Sequence, residues 1–247
     1  MAGTAVRGRL AWQLATVTAV RAETATARTI ELAADWAGHR AGQHVDVRLT
    51  AEDGYTAERS YSIASAPGEP LAITVQRLDD GEVSPYLTTE LRAGDKLEVR
   101  GPIGGYFVWD ADGADSPLLL AAGGSGIVPL RSILRHRERT GSVVPARLLY
   151  SARSLHDVIY RDELDRYARD VSVTFALTRH QPPGWTGHRG RVDGALLAGV
   201  AWPSPGHPSA YVCGPTAFVE TIAEGLTKLG YPPQRVKTER FGGAGGP

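Results

Sequence analysis

The sequence of 247 residues carries 27 basic and 27 acidic residues, a formal net charge of +0, and a single cysteine, Cys213. That length predicts two compact domains, each able to bury its own core. One thiol excludes a disulfide framework, a thiolate zinc site and a four-cysteine iron–sulfur cluster within these residues, and the balanced charge argues against a nucleic-acid footprint or a membrane-surface role.

Arg7 and Arg9 ahead of an apolar run imitate a secretory signal, but Gln13, Thr16 and Thr18 interrupt that run. It reads instead as a strand over 12–20, with Trp12, Leu14, Thr16 and Thr18 on one face. No stretch reaches the roughly 20 apolar residues that cross a bilayer, and a cytoplasmic, reducing location is expected. Further strand-like runs follow at 27–33, 43–49, 59–64, 71–76 and 96–100, divided by turns such as Asp53-Gly54, Asp80-Gly81 and Gly94-Asp95. Short strands at this spacing predict a small antiparallel barrel. One helix interrupts them, with Ser84 as its N-cap and Pro85 at its first position.

Beyond a polar linker at 110–115 the rhythm changes to strand, helix, strand. Residues 118–122 form a continuous apolar run, as in a strand buried on both faces. Ile127, Leu130, Ile133 and Leu134 then share a helical face that stops at Gly141. Further strands are expected at 146–150, 171–177, 210–213 and 236–239, with helices around 162–168, 194–198 and 216–229. This alternation predicts an α/β domain on a parallel sheet, whose ligands lie beyond the strands' carboxyl ends. The domains are therefore expected at 1–112 and 113–247.

Several segments carry chemistry. Arg59-Ser60-Tyr61-Ser62 combines a guanidinium for phosphate, an aromatic for a flat ring and hydroxyls for a heterocycle's polar edge, with Arg59 and Tyr61 on one strand face. Gly81-Glu82-Val83-Ser84 opens the first helix and Gly123-Gly124-Ser125-Gly126 opens the next; each is suited to a pyrophosphate, though a Gly-rich turn is by itself equally a tight turn. Ser151 and Arg153 end one strand and Thr178 and Arg179 another, with no acidic residue placed for a ribose diol. These pairs suit a 2′-phosphate, unless the Arg are ordinary surface residues. Cys213-Gly214-Pro215 ends the fourth strand, and Cys213 reads either as a small buried apolar residue or as a ligand neighbour. Arg131, Arg135, Arg137 and Arg139 form either a basic docking face or a solvated helix face. The seven His show no metal-ligand spacing, and no metal site is expected.

Together these residues resemble the ferredoxin–NADP reductase family. The Arg-x-Tyr-Ser motif at Arg59 to Ser62, Gly81 to Ser84, Gly101-Pro102-Ile103-Gly104, the turn at Gly123 to Pro129, Cys213-Gly214-Pro215 and Glu239-Arg240-Phe241 occur in the family's order. The resemblance implies an FAD-binding antiparallel barrel before a pyridine-nucleotide domain, with NADPH, or NADH, reducing the flavin. It would place Arg59, Gly81, Val83 and Ser84 at the FAD pyrophosphate, Ser60, Tyr61, Ser62, Val75 and Arg77 along the FAD, and Phe241 over its other ring face. Residues 242–247 follow Phe241, where plant-type members end on a Tyr. Gly124, Ser125 and Gly126 would hold the nicotinamide nucleotide's pyrophosphate, Ser151, Arg153, Thr178 and Arg179 its adenosine end, and Cys213, Gly214 and Pro215 its nicotinamide. Ser62, Cys213 and Glu239 would be catalytic. Electrons are expected to leave the flavin for a separate ferredoxin or oxygenase component. A free-flavin or ferric reductase, or a non-catalytic electron-transfer subunit, are the alternatives.

Overall fold

The computed structural model describes residues 10–112 and 114–241; Arg7, Arg9, Gly113 and the tail at 242–247 lie outside the described residues. In the first half, strands β1 (Gln13–Ala22), β2 (Ala27–Ala33), β3 (His44–Thr50), β4 (Thr56–Ser62), β5 (Leu71–Gln76) and β6 (Lys96–Ile103) pair antiparallel in the order β4-β3-β6-β1-β2-β5. Just past β4, Ile63 bridges Ile73 and the Ala64 N–H donates to the Ala72 carbonyl at 2.7 Å. The two sheet edges therefore meet, giving the expected barrel.

Period-two alternation decides what fills it. Ala15 and Val17 of β1 point inward with Ile30, Val45, Val47, Ile73 and Val99, so the expected face bearing Trp12 and Leu14 is the outer one. There the guanidinium groups of Arg48 and Arg100 lie over the Trp12 ring, 4.4 and 4.5 Å from its centre. Helix α1 (Ser84–Thr89) stoppers the barrel with fully buried Leu87, followed by Leu91. Burying a side chain of this size is worth about 1.5–3 kcal/mol, which anchors the 81–84 turn. Ser84 departs from expectation: Val83 is the N-cap, and the Ser84 hydroxyl turns back to accept the Leu78 N–H at 3.0 Å. The loop before the helix claims the oxygen that a free helix end would use.

The second half holds β7 (Leu118–Gly123), β8 (Ala146–Ala152), β9 (Ser172–Leu177), β10 (His188–Arg189), β11 (Ser209–Pro215) and β12 (Val236–Phe241), all parallel, in the order β10-β9-β8-β7-β11-β12. The two-residue β10 is too short to leave a periodic signal in the sequence. Leu118 and Leu120 pack under α2 (Ile127–Arg139) and α3 (Arg161–Tyr167), while Leu119 and Ala121 pack under α4 (Gly194–Val200) and α5 (Thr216–Lys228). From β7 the chain steps outward to β10, then returns to β11 on the other side. The order reverses between β7 and β11, which opens a crevice at their carboxyl ends.

The two halves share buried contacts. Ala64, Ala72, Phe107 and Trp109 belong to the same apolar cluster as Ile127 and Ile133. The Arg-rich stretch of α2 is mostly consumed in that junction, which corrects both readings made from the sequence. Arg131 is buried over the Tyr160 ring and donates to the Ala64 carbonyl at 3.1 Å and to Glu163 at 2.8 Å. Arg135 bridges Glu69 at 2.6 Å and Glu163 at 3.1 Å. Arg137 is buried against the Val144 carbonyl at 2.6 Å. Arg139 alone of the four keeps a half-exposed side chain. Beside them Ser132 donates to the Ser65 carbonyl at 2.7 Å, and the Tyr160 hydroxyl donates to Thr74 at 2.5 Å.

Candidate functional site

The turn after β7 packs backbone to backbone against the end of β11. A Cβ on Gly126 would lie 2.0 Å from the Cys213 carbonyl oxygen, so only glycine permits this approach. Gly124, at φ +55°, keeps an open side, where the nearest atom to a Cβ would be Gln76 Oε1 at the end of β5, 3.7 Å away. The crevice therefore joins the barrel rim to the carboxyl ends of β7 and β11. A hollow of about 390 Å³ beside Arg147 and Trp202 lies at the opposite, amino-terminal end of β8 and β9 and is no part of it.

Cys213 and Glu239 are register partners on β11 and β12. Cys213 is buried, and burial, then the charge of Glu239, push its thiol well above its ordinary pKa. It stays protonated and is no thiolate nucleophile. Burial likewise raises Glu239 to about 7, and its carboxyl has no hydrogen-bonding or ionic partner among the described residues. A carboxyl poised near neutrality can hold or release a proton. Gly214 lies against Gly123, and Phe241, 36% exposed, lies in register with Pro215.

On the barrel side Arg59 and Tyr61 share a face of β4, opposite Val47 and Val45. Tyr61 packs on the core, and burial raises its hydroxyl to about 12. Ser60 is on the other face, donating to Asp46 at 2.6 Å; only its backbone can serve a ligand beside Tyr61. Ser62 stands directly opposite His44 of β3, whose pKa burial lowers. Neither side chain has a hydrogen-bonding partner among the described residues. The sequence did not single out His44, because strand register is invisible there. Val75 and Val83 are wholly buried in the barrel core, which leaves their backbone alone for a ligand. Arg77 pairs with Asp79 at 2.9 Å. The Gly81 N–H donates to the Leu78 carbonyl at 3.0 Å.

At the far end of the crevice, exposed Arg153 and Arg179 follow β8 and β9, and the Arg179 N–H donates to the Arg153 carbonyl at 2.9 Å. Their guanidinium groups have no partner among the described residues. Ser151 is buried, and the Thr178 hydroxyl donates to the Ala152 carbonyl at 3.3 Å. The donor set fits two nucleotides: guanidinium groups for phosphates on both domains, an open glycine turn between them, and a Tyr with a free hydroxyl neighbour at the junction.

Barrel, switch-point crevice and paired phosphate donors define a two-domain flavin- and pyridine-nucleotide-dependent oxidoreductase. Residues 12–108 match the oxidoreductase FAD-binding domain family and residues 120–224 the oxidoreductase NAD-binding domain family. Ferredoxin–NADP reductase B of Sorangium cellulosum is 36% identical over 212 residues, covering 81% of this chain and 84% of its own. The glycine betaine monooxygenase reductase subunit of Chromohalobacter salexigens is 35% identical over 208 residues, 81% of this chain; the chain spans only 55% of that relative's length. A cytochrome P450 reductase of Amycolatopsis superposes with a TM-score of 0.82 at 26% identity, covering 96% of this chain and 73% of its own. The chain belongs to the ferredoxin–NADP reductase family, with FAD and a nicotinamide nucleotide as its cofactors.

Proposed function

We propose that the protein takes electrons from NADPH through bound FAD and passes them to a separate redox protein, a ferredoxin or an oxygenase component. The observation that carries the reading is the crevice itself: a Cβ built on Gly124 of the nucleotide domain would lie 3.7 Å from Gln76 Oε1 of the barrel, so ligands of the two domains would meet there. Relatives named as a ferredoxin–NADP reductase and as a monooxygenase reductase subunit support the acceptor class. We take 1–112 and 113–247 as the two domains and the cytoplasm as the location, since nothing in the chain requires an oxidising compartment. Among the described residues no helix is long and apolar enough to cross a membrane.

FAD, when bound, supplies the conversion of a two-electron donor into one-electron steps. Arg59 and the backbone of the Gly81 to Ser84 turn would hold its pyrophosphate, with Val75 and Arg77 beside it. Tyr61 would carry one ring face and Phe241 the other, and Ser62 would bond the ring nitrogen N5. Gly124, Ser125 and Gly126 would receive the nicotinamide nucleotide, with Cys213, Gly214 and Pro215 beside its nicotinamide. Glu239, whose carboxyl burial raises to about 7, would manage a proton there. Unpartnered Arg153 and Arg179, with Ser151 and Thr178, favour the 2′-phosphate of NADPH over the bare ribose of NADH. Anaerobic titration of the purified protein with NADPH and then NADH, followed by the flavin spectrum, tests cofactor, reaction and preference together. A colourless protein, or a flavin that neither nucleotide bleaches, refutes the reading.

A further inference from the structure

The guanidinium assigned to the FAD pyrophosphate is already engaged. Arg59 Nη2 donates to Glu82 Oε2 at 2.5 Å, and the Tyr55 hydroxyl donates to Glu82 Oε1 at 2.6 Å. Each carboxylate oxygen thus has its own donor. Glu82 belongs to the same Gly81 to Ser84 turn whose backbone would meet the phosphates. Tyr55 comes from the hairpin joining β3 and β4, where its N–H donates to Asp53 Oδ1 at 3.0 Å and fixes the turn. Three separate segments therefore converge on one carboxylate beside one guanidinium. The Tyr55 and Arg59 hydrogen bonds hold Glu82 below the usual carboxylate range, which keeps it anionic at neutral pH. One guanidinium fork cannot serve this carboxylate and a pyrophosphate without bringing like charges together.

We propose that Glu82 is an internal stand-in for the FAD pyrophosphate. It neutralises Arg59 while the flavin is absent and yields the guanidinium when FAD binds. Glu82, tethered by Tyr55, thereby sets how tightly FAD is held and how fast it leaves. The inference rests on the flavin reading above and adds a residue that opposes binding from within the site. Arg59 and Glu82 are 52% and 46% exposed, so the competition is open to solvent and screened by salt.

The test removes flavin from the purified protein and titrates FAD back, reading fluorescence quenching for affinity and stopped flow for release, at low and high ionic strength. Exposed ion pairs of this kind are weak and screened by salt. E82Q, which keeps the shape and loses the charge, is accordingly expected to bind FAD about threefold to fivefold tighter at low salt. That gain should shrink toward unity at high salt. Y55F, which loosens the tether, should shift affinity in the same direction by a smaller factor, and it decides the matter should E82Q not fold. Equal affinity in wild type and both variants overturns the inference while leaving the flavin reading intact. Weaker binding by E82Q also overturns it, and would make Glu82 a residue that orients Arg59 for the phosphate. A wild-type protein that takes up no FAD overturns the flavin reading, and this inference with it.

Discussion

Replacing Glu239 with Gln should change how stability depends on pH, with a sign the structure fixes. Glu239 on β12 is the register partner of the buried Cys213 of β11, and its carboxyl has no partner among the described residues; burial alone lifts its pKa to about 7 from the ordinary 4.5. Because the folded value lies above the unfolded one, the favourable contribution to the folded state is complete below pH 4.5. It is lost as pH rises through 7. A gap of this size, at 1.36 kcal/mol per pKa unit, corresponds to about 3 kcal/mol. Gln is isosteric with the protonated acid and does not ionise. The flavin-free wild type and E239Q should therefore unfold with nearly equal free energy near pH 4. By pH 8 the variant should be the more stable of the two by up to about 3 kcal/mol. Urea unfolding followed by tryptophan fluorescence, at half-unit pH intervals from 4 to 8.5, measures this difference. A gap between the two proteins that stays constant with pH would show that Glu239 ionises as readily folded as unfolded, and would remove the basis for placing a proton there.

Other expectations bear on the crevice and the junction. Arg179→Ala should raise the KM for NADPH about tenfold or more, as loss of a charged hydrogen bond implies, and leave that for NADH nearly unchanged; equal losses would count against a 2′-phosphate site. Ser62→Ala should retain FAD yet slow flavin reduction by about tenfold, roughly one hydrogen bond, in single-turnover stopped flow. Unchanged rates would dismiss the role. Arg131→Ala strips a buried partner from Glu163 and a donor from the Ala64 carbonyl. Glu163 keeps Arg135 as a partner, so the change should cost about 2–3 kcal/mol in denaturant unfolding, and a loss below about 1 kcal/mol would mean that Arg131 does little to hold the two halves together.

The residues that reveal their roles in sequence are those whose role is local. A strand announces itself by alternation, so Ala15 and Val17 could be separated from Trp12 and Leu14 by period, although the period does not say which face is wet. The turn at Gly123 to Gly126 is legible as a glycine-rich link from strand to helix, but the reason for Gly126 is not. Its missing Cβ makes room for the Cys213 carbonyl, a contact between positions far apart in the chain. The four Arg of α2 show the same limit. Helical spacing says that they recur, but whether they meet water or the Ala64 carbonyl depends on where the barrel docks.

Composition, period and motif order thus determined two domains, a barrel before a parallel sheet, and the family to which the motifs belong. These follow from backbone geometry and glycine freedom, which act over a few residues. Only the tertiary structure decided that His44 stands opposite Ser62, that Glu82 occupies Arg59, and that burial raises the Glu239 carboxyl. Register, ion pairing and desolvation are set by groups brought close through folding, and a charge is tuned by what removes its water, which no neighbour in sequence records.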